Sequence, residues 1–166
     1  MATDKVYLVG FMGAGKTTLA RRLASRLDWR AEDIDERIEA REARTVSAIF
    51  STRGEPYFRQ VERHVLLDLL PLRHAVFATG GGTFADAENR ALINRDGLSV
   101  WIDVPLASLV ERVPADGRRP LAADRAQFER LFDARRAAYQ HAHVRLDAGG
   151  APVDALVEQL LEHLEN

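Results

Sequence analysis

Gly10 to Thr17 reads GFMGAGKT: a glycine, four residues, then Gly-Lys-Thr. That spacing is suited to holding phosphates. Glycines let successive backbone N–H groups of a tight loop face one anion. Lys16 is a compact charge that can reach the outer phosphates, in a space a planar guanidinium would not fit. The Thr17 hydroxyl is a hard oxygen ligand for Mg²⁺. The lysine stands out because the 23 basic residues include only two lysines, Lys5 and Lys16. The spacing is not G-x-G-x-x-G, which argues against a dinucleotide site. The guanine-reading pattern N-K-x-D is absent, so the expected nucleotide is ATP.

Other residues could hold a phosphoryl acceptor. Asp33 and Asp35 alternate at the expected end of a second strand. One carboxylate could hold Mg²⁺ through water, and the other could accept a proton or hydrogen bond from a hydroxyl. An acidic first turn of a helix is the alternative for this pair. Arg59, in YFRQVE, and Arg135, in DARRAAY, could fork onto a carboxylate or lie on the surface. Arg119, in GRRPL, sits in a polar segment that could close over transferring phosphates, or be a solvated loop. A second glycine run, Gly80 to Gly82 in ATGGG, ends an apolar stretch. One glycine would serve a plain turn, whereas three in succession let a small ligand approach the backbone closely.

These residues need elements to position them. VYLVG (6–10), AVFAT (75–79) and LSVWIDV (98–104) are short, nearly continuous apolar runs, as in parallel strands buried on both faces. Weaker strands are expected at 30–33 and 143–146. Leu19, Leu23 and Leu27 mark one helix; Phe58, Val61, Val65 and Leu69 mark another, with Pro56 near its start. Leu156, Val157, Leu160, Leu161 and Leu164 mark an amphipathic helix at the C-terminus. Alternating strands and helices predict an α/β fold with right-handed crossovers. Residues 35–70 and 113–124 fall outside the alternation and read as insertions at the ligand-binding edge of the sheet.

The 166 residues suffice for one domain, 1–166, and the sequence has no repeat or linker. A net charge of −2 gives no reason to expect nucleic acid as a partner. No apolar stretch approaches a membrane span, and MATDKVYLVG lacks the layout of a signal peptide. A cytoplasmic monomer is expected. The chain has no cysteine, so disulfides and thiol-ligated metals are excluded.

In order along the chain, GFMGAGKTT, DID, GEPYFRQVE, ATGGG, RRPL and an arginine followed four residues later by tyrosine resemble the shikimate kinase family. The resemblance runs from about residue 6 to 146. It implies a three-layer α/β/α P-loop NTPase fold of the nucleoside monophosphate kinase type, with a five-stranded parallel sheet, an acceptor-binding insertion (35–70) and a lid (113–124). It implies transfer of the γ-phosphoryl of ATP to the 3-hydroxyl of shikimate, a step of aromatic amino-acid biosynthesis. Gly13, Ala14, Gly15, Lys16, Thr17 and Thr18 would bind the ATP phosphates. Thr17 and Asp33 would hold Mg²⁺. Asp35 would bond the shikimate hydroxyls and is the candidate base. Arg59 and Arg135 would clamp the shikimate carboxylate, and Gly81 would offer its N–H, with Gly80 and Gly82 shaping the turn. Arg119 would reach the phosphates from the lid, and Arg112 and Pro152 would sandwich the adenine. Phe50, Phe58 and Glu62 would line or brace the acceptor pocket. Lys16, Asp35 and Arg119 form the implied catalytic set.

The chain departs from the family pattern at Ala43, where glycine is usual, at RPLA where RPLL is usual, and near Pro152, where some members carry a basic residue. A gluconate-type kinase remains the alternative, because paired arginines suit any sugar acid. A non-catalytic nucleotide sensor would be expected to have lost the lysine, the hydroxyl or the aspartate, and all are present.

Overall fold

The computed structural model describes residues 3–112 and 125–165. The 113–124 lid with Arg119, and the side chain of Arg112, lie outside the described residues. Five parallel strands form one sheet in the order β2-β3-β1-β4-β5. They are β1 (Lys5–Val9), β2 (Arg30–Asp33), β3 (Ala75–Ala78), β4 (Leu98–Asp103) and β5 (Val144–Asp147). The apolar runs of β1 and β3 are buried along their whole length because both their neighbours and the helical layers cover them. β2 and β5 lie at the edges, which is why their sequences, RAED and VRLD, carry a weaker apolar signal.

Helices α1 (Lys16–Leu27) and α8 (Val153–Glu165) pack against each other, burying Leu19 and Leu23 from one and Leu156, Val157 and Leu160 from the other. The rest of the helical framework is α4 (Glu55–Leu69), α5 (Ala87–Asp96), α6 (Leu106–Arg112) and α7 (Arg125–Tyr139). α7 meets the sheet where the rings of Tyr139 and Trp101 lie 6.1 Å apart. The long segment between β2 and β3 is three helices: α2 (Ile34–Glu42), α3 (Val46–Arg53) and α4. α2 and α3 both pack on α4, so this unit presents the start of α4 above the strand ends.

Two local features follow from residue chemistry. Ala43 ends α2 in the left-handed region, φ 54°, a position where glycine carries no steric penalty. Lys5, the second lysine, is fully buried. Its ammonium donates to the carbonyl of Leu70 at 2.8 Å, at the end of α4, and pairs with Asp96, which also accepts from the Tyr7 hydroxyl at 2.5 Å. Orphan carbonyls at a helix C-terminus are thereby satisfied by a compact cation.

Candidate active site

The loop after β1 turns directly into α1. Gly15 is the N-cap residue at φ 90°, a conformation that glycine adopts without strain. Lys16 is only 8% exposed, and its ammonium arcs back over the loop to donate to the carbonyls of Gly10 at 2.5 Å and Phe11 at 2.9 Å. The Ala14 N–H also donates to the Phe11 carbonyl, at 3.2 Å. Thr18 lies in the first turn of α1, whose N-terminus favours anions.

β2 brings the first acid to this loop. The Thr17 hydroxyl donates to Asp33 Oδ2 at 2.5 Å. The other Asp33 oxygen caps α2, accepting from the Glu36 N–H at 2.9 Å. A hydroxyl and a carboxylate held side by side are a hard-oxygen donor pair of the kind that suits Mg²⁺, which keeps several waters and phosphate oxygens in its shell. No cluster of three or more acidic or histidine side chains that could cage a metal exists among the described residues.

The strand ends at Asp33, so Asp35 does not alternate with it along a strand; it stands in the first turn of α2. The acidic first turn of a helix and the carboxylate beside the second glycine turn are therefore one feature. A Cβ built on Gly80 would come within 2.8 Å of Asp35 Oδ1.

The same turn receives two guanidiniums. A Cβ on Gly81 would lie 3.0 Å from Arg135 Nη1, and one on Gly82 would lie 2.5 Å from Arg59 Nη2. None of the three glycines has a positive φ. The run is therefore required for space and not for a left-handed backbone. Each glycine instead leaves room for one charged side chain. The Gly81 Cβ would also lie 3.5 Å from the Met12 backbone nitrogen, so the two glycine loops abut. Thr79 completes this alignment, its N–H and hydroxyl both donating to Leu8 O, at 3.1 and 2.9 Å.

The guanidiniums differ in their surroundings. Arg59 bonds Glu62 through Nη1, at 3.0 and 3.2 Å, and reaches Glu55 through Nε at 3.4 Å. Glu62 is fully buried. Arg135 is 9% exposed and has no carboxylate partner among the described residues. Burial, helped by the nearby charge of Arg59, holds its guanidinium below the ordinary arginine value, with Tyr139, Glu55 and Glu62 acting in the opposite direction. A buried cation that no carboxylate pairs directly is suited to receiving an anion. Phe50 and Phe58 pack with ring centroids 4.7 Å apart, and the Arg59 guanidinium lies 5.2 Å from the Phe58 ring.

Pro152 stands apart from this cluster. It is exposed at the start of α8, after edge strand β5, on the other side of β1 from β2 and β3. The sequence reading leaves three neighbours without a role. Phe11 packs edge-on against Phe128 and Phe132 of α7, at 5.0 and 5.3 Å, joining the phosphate loop to the helix that carries Arg135. Tyr139 donates to the Gly81 carbonyl, and Thr83 bonds both Gly80 and Glu62. The four-residue spacing from Arg135 to Tyr139, one helix face, was the available signal for the tyrosine.

Comparison with known proteins agrees with this geometry. The shikimate kinase family model matches residues 12–165. A shikimate kinase of Persephonella marina is 38% identical over 157 residues, covering 94% of this chain and 96% of the relative. One of Caulobacter vibrioides is 41% identical over 162 residues, covering 96% and 81%. The structure of a shikimate kinase from Acinetobacter baumannii in complex with shikimate superposes with a TM-score of 0.91 at 33% identity, covering 98% of this chain and 93% of that one. The family model spans most of the chain, and the relatives match it over nearly its whole length in sequence and in backbone: the chain belongs to the shikimate kinase family.

Proposed function

We propose a division of labour around the two abutting loops for the family's reaction, transfer of the γ-phosphoryl group of ATP to the 3-hydroxyl of shikimate. The single observation that carries it is Arg135, a buried guanidinium without an acidic partner among the described residues, aimed at a glycine turn that touches the phosphate loop. Shikimate brings the missing carboxylate, clamped by Arg135 and the free Nη2 arm of Arg59. Its hydroxyls meet Asp35 and the backbone N–H of Gly81. Glu62, Phe50 and Phe58 brace this side of the pocket.

Gly13, Ala14, Gly15, Lys16, Thr17 and Thr18 hold the ATP phosphates on the other side. Phosphoryl transfer passes through a loose transition state, so placement and charge matter more than a strong base. Lys16 swings from the carbonyls of Gly10 and Phe11 to the transferring phosphoryl. Arg119 acts from the lid, and Arg112 with Pro152 holds the adenine. Thr17 and Asp33 would hold Mg²⁺, which neutralises phosphate charge when bound. Asp35 accepts the hydroxyl proton as transfer proceeds. The enzyme works as a cytoplasmic monomer on this reading. Among the described residues Leu67, 43% exposed, is the one large apolar side chain left in solvent, and no helix is long and apolar enough to cross a membrane.

A coupled ADP-release assay with shikimate, gluconate and nucleoside monophosphates tests the reading. Mg²⁺-dependent release with shikimate alone is expected. Release with gluconate, or none with shikimate while ATP binds, overturns it.

A further inference from the structure

Four of the six backbone N–H and C=O groups of the triple-glycine turn are engaged, two of them by buried hydroxyls. The Gly80 N–H donates to Thr83 Oγ1 at 3.0 Å, and the Thr83 hydroxyl donates to Glu62 Oε2 at 2.8 Å. The Gly80 carbonyl accepts from the Thr83 N–H at 3.2 Å, and the Gly82 carbonyl from the Ala85 N–H at 3.1 Å. The Gly81 carbonyl accepts from the Tyr139 hydroxyl at 2.5 Å. Only the N–H groups of Gly81 and Gly82 have no acceptor among the described residues. A trans peptide points its C=O and its N–H in opposite directions. A hydroxyl that draws the Gly81 carbonyl toward α7 therefore turns the Gly82 N–H away from α7.

Thr83 has a second consequence. Both Glu62 oxygens lie within bonding distance of Arg59 Nη1, and the Thr83 hydroxyl holds one of them. That fixes which guanidinium arm is tied down and leaves Nη2 over Gly82. Asn89, from α5, seals the arrangement by donating to the Thr83 carbonyl at 3.2 Å, and is itself gripped by Arg63 of α4.

We propose that Thr83 and Tyr139 are positioning residues of the acceptor site: their hydroxyls hold the turn from two sides, Thr83 at the Gly80 N–H and Tyr139 at the Gly81 carbonyl, which leaves the Gly82 N–H for the substrate, and Thr83 also fixes the carboxylate that orients Arg59. The proposal rests on the reading of this turn as the shikimate floor. Neither residue touches the substrate; each acts through the backbone or through Glu62.

The test compares Tyr139→Phe, Thr83→Val and Thr83→Ser with wild type, measuring KM for shikimate and for ATP, shikimate Kd by calorimetry, and Tm. Losing one buried hydroxyl bond should raise the shikimate KM and Kd about tenfold in the Phe and Val variants. The ATP KM should stay within about twofold, and Thr83→Ser, which keeps the hydroxyl, should recover most of the loss. An unmoved shikimate KM in the folded variants overturns the proposal. So does a parallel rise for ATP, or a serine variant as poor as the valine one. Should Thr83→Val not fold, Tyr139→Phe decides by the same criteria. Wild-type turnover separates the two levels: no turnover with shikimate overturns the reaction, whereas turnover with unmoved variants overturns only this assignment.

Discussion

At the residue scale, the triple glycine divides by partner: Gly80 makes room for Asp35, Gly81 for Arg135 and Gly82 for Arg59. An added methyl at Gly80 or Gly82 would meet the far end of a flexible side chain, so the fold should survive while the charge moves. Gly82→Ala should raise the shikimate KM about tenfold to a hundredfold, since a displaced charge-assisted bond is lost. Gly80→Ala should act mainly on kcat, because a carboxylate shifted by about 1 Å loses its alignment with the hydroxyl. Steady-state kinetics with each substrate varied in turn would show the split; a matching loss in ATP KM would contradict it. This pairing was not legible in the sequence. GGG reports only missing side chains, and the partners come from helices about 20 to 55 residues away in sequence, brought together by packing. The phosphate loop was legible because its signature residues are consecutive in the sequence.

At the element scale, the central strands were legible because burial on both faces leaves a continuous apolar run, as in VYLV and AVFA. The edge strand β2 was faint because its residues are charged for another reason. Glu32 lies between Arg30, at 3.0 Å, and Arg37, at 2.9 Å. Burial alone would raise its carboxyl, but the hydrogen bond and charge of Arg37, then those of Arg30, outweigh it and hold the group below its usual value of 4.5. A folded-state value below the unfolded one adds stability above about pH 4.5 that is lost as the pH falls through the folded value. Glu32→Gln should therefore lower Tm at pH 7, and the gap to wild type should close toward pH 3, followed by calorimetry. The bend after α2 offers a second test. Ala43 holds a left-handed cap that costs alanine about 1 kcal/mol, partly offset by the greater freedom glycine has when unfolded. Ala43→Gly should raise stability by roughly 0.5 kcal/mol with kinetics unchanged, measured by urea unfolding. A lower midpoint would show that the cap is relaxed.

At the scale of the whole molecule, most acceptor groups lie, on the proposed reading, on the β2–β3 side of β1 and the adenine end of the nucleotide on the other, with Arg135 of α7 reaching across to the glycine turn. β2 and β3 carry the acidic and glycine elements, whereas α6 and Pro152 follow β4 and β5. The scarcity of lysine becomes useful here. Lys5 is sealed at one end of the sheet and Lys16 is buried in the phosphate loop, so neither lysine amine lies open to solvent. Amine-directed labelling of the native protein should reach Lys16 slowly and Lys5 only on unfolding, and ATP should protect Lys16. Peptide mass spectrometry would report each site. Lys5 labelled before Lys16 would contradict the buried cluster with Asp96 and the Leu70 carbonyl.

The separation of the two sides is the central claim, and Asp35→Asn tests it most directly. Shikimate-dependent ADP release and equilibrium ATP binding are measured on the same preparation. Turnover should fall at least about a hundredfold, as expected for a group that acts on the transferred proton, while ATP Kd stays within about twofold. ATP binding that falls in step with turnover would place Asp35 on the nucleotide side and contradict the account.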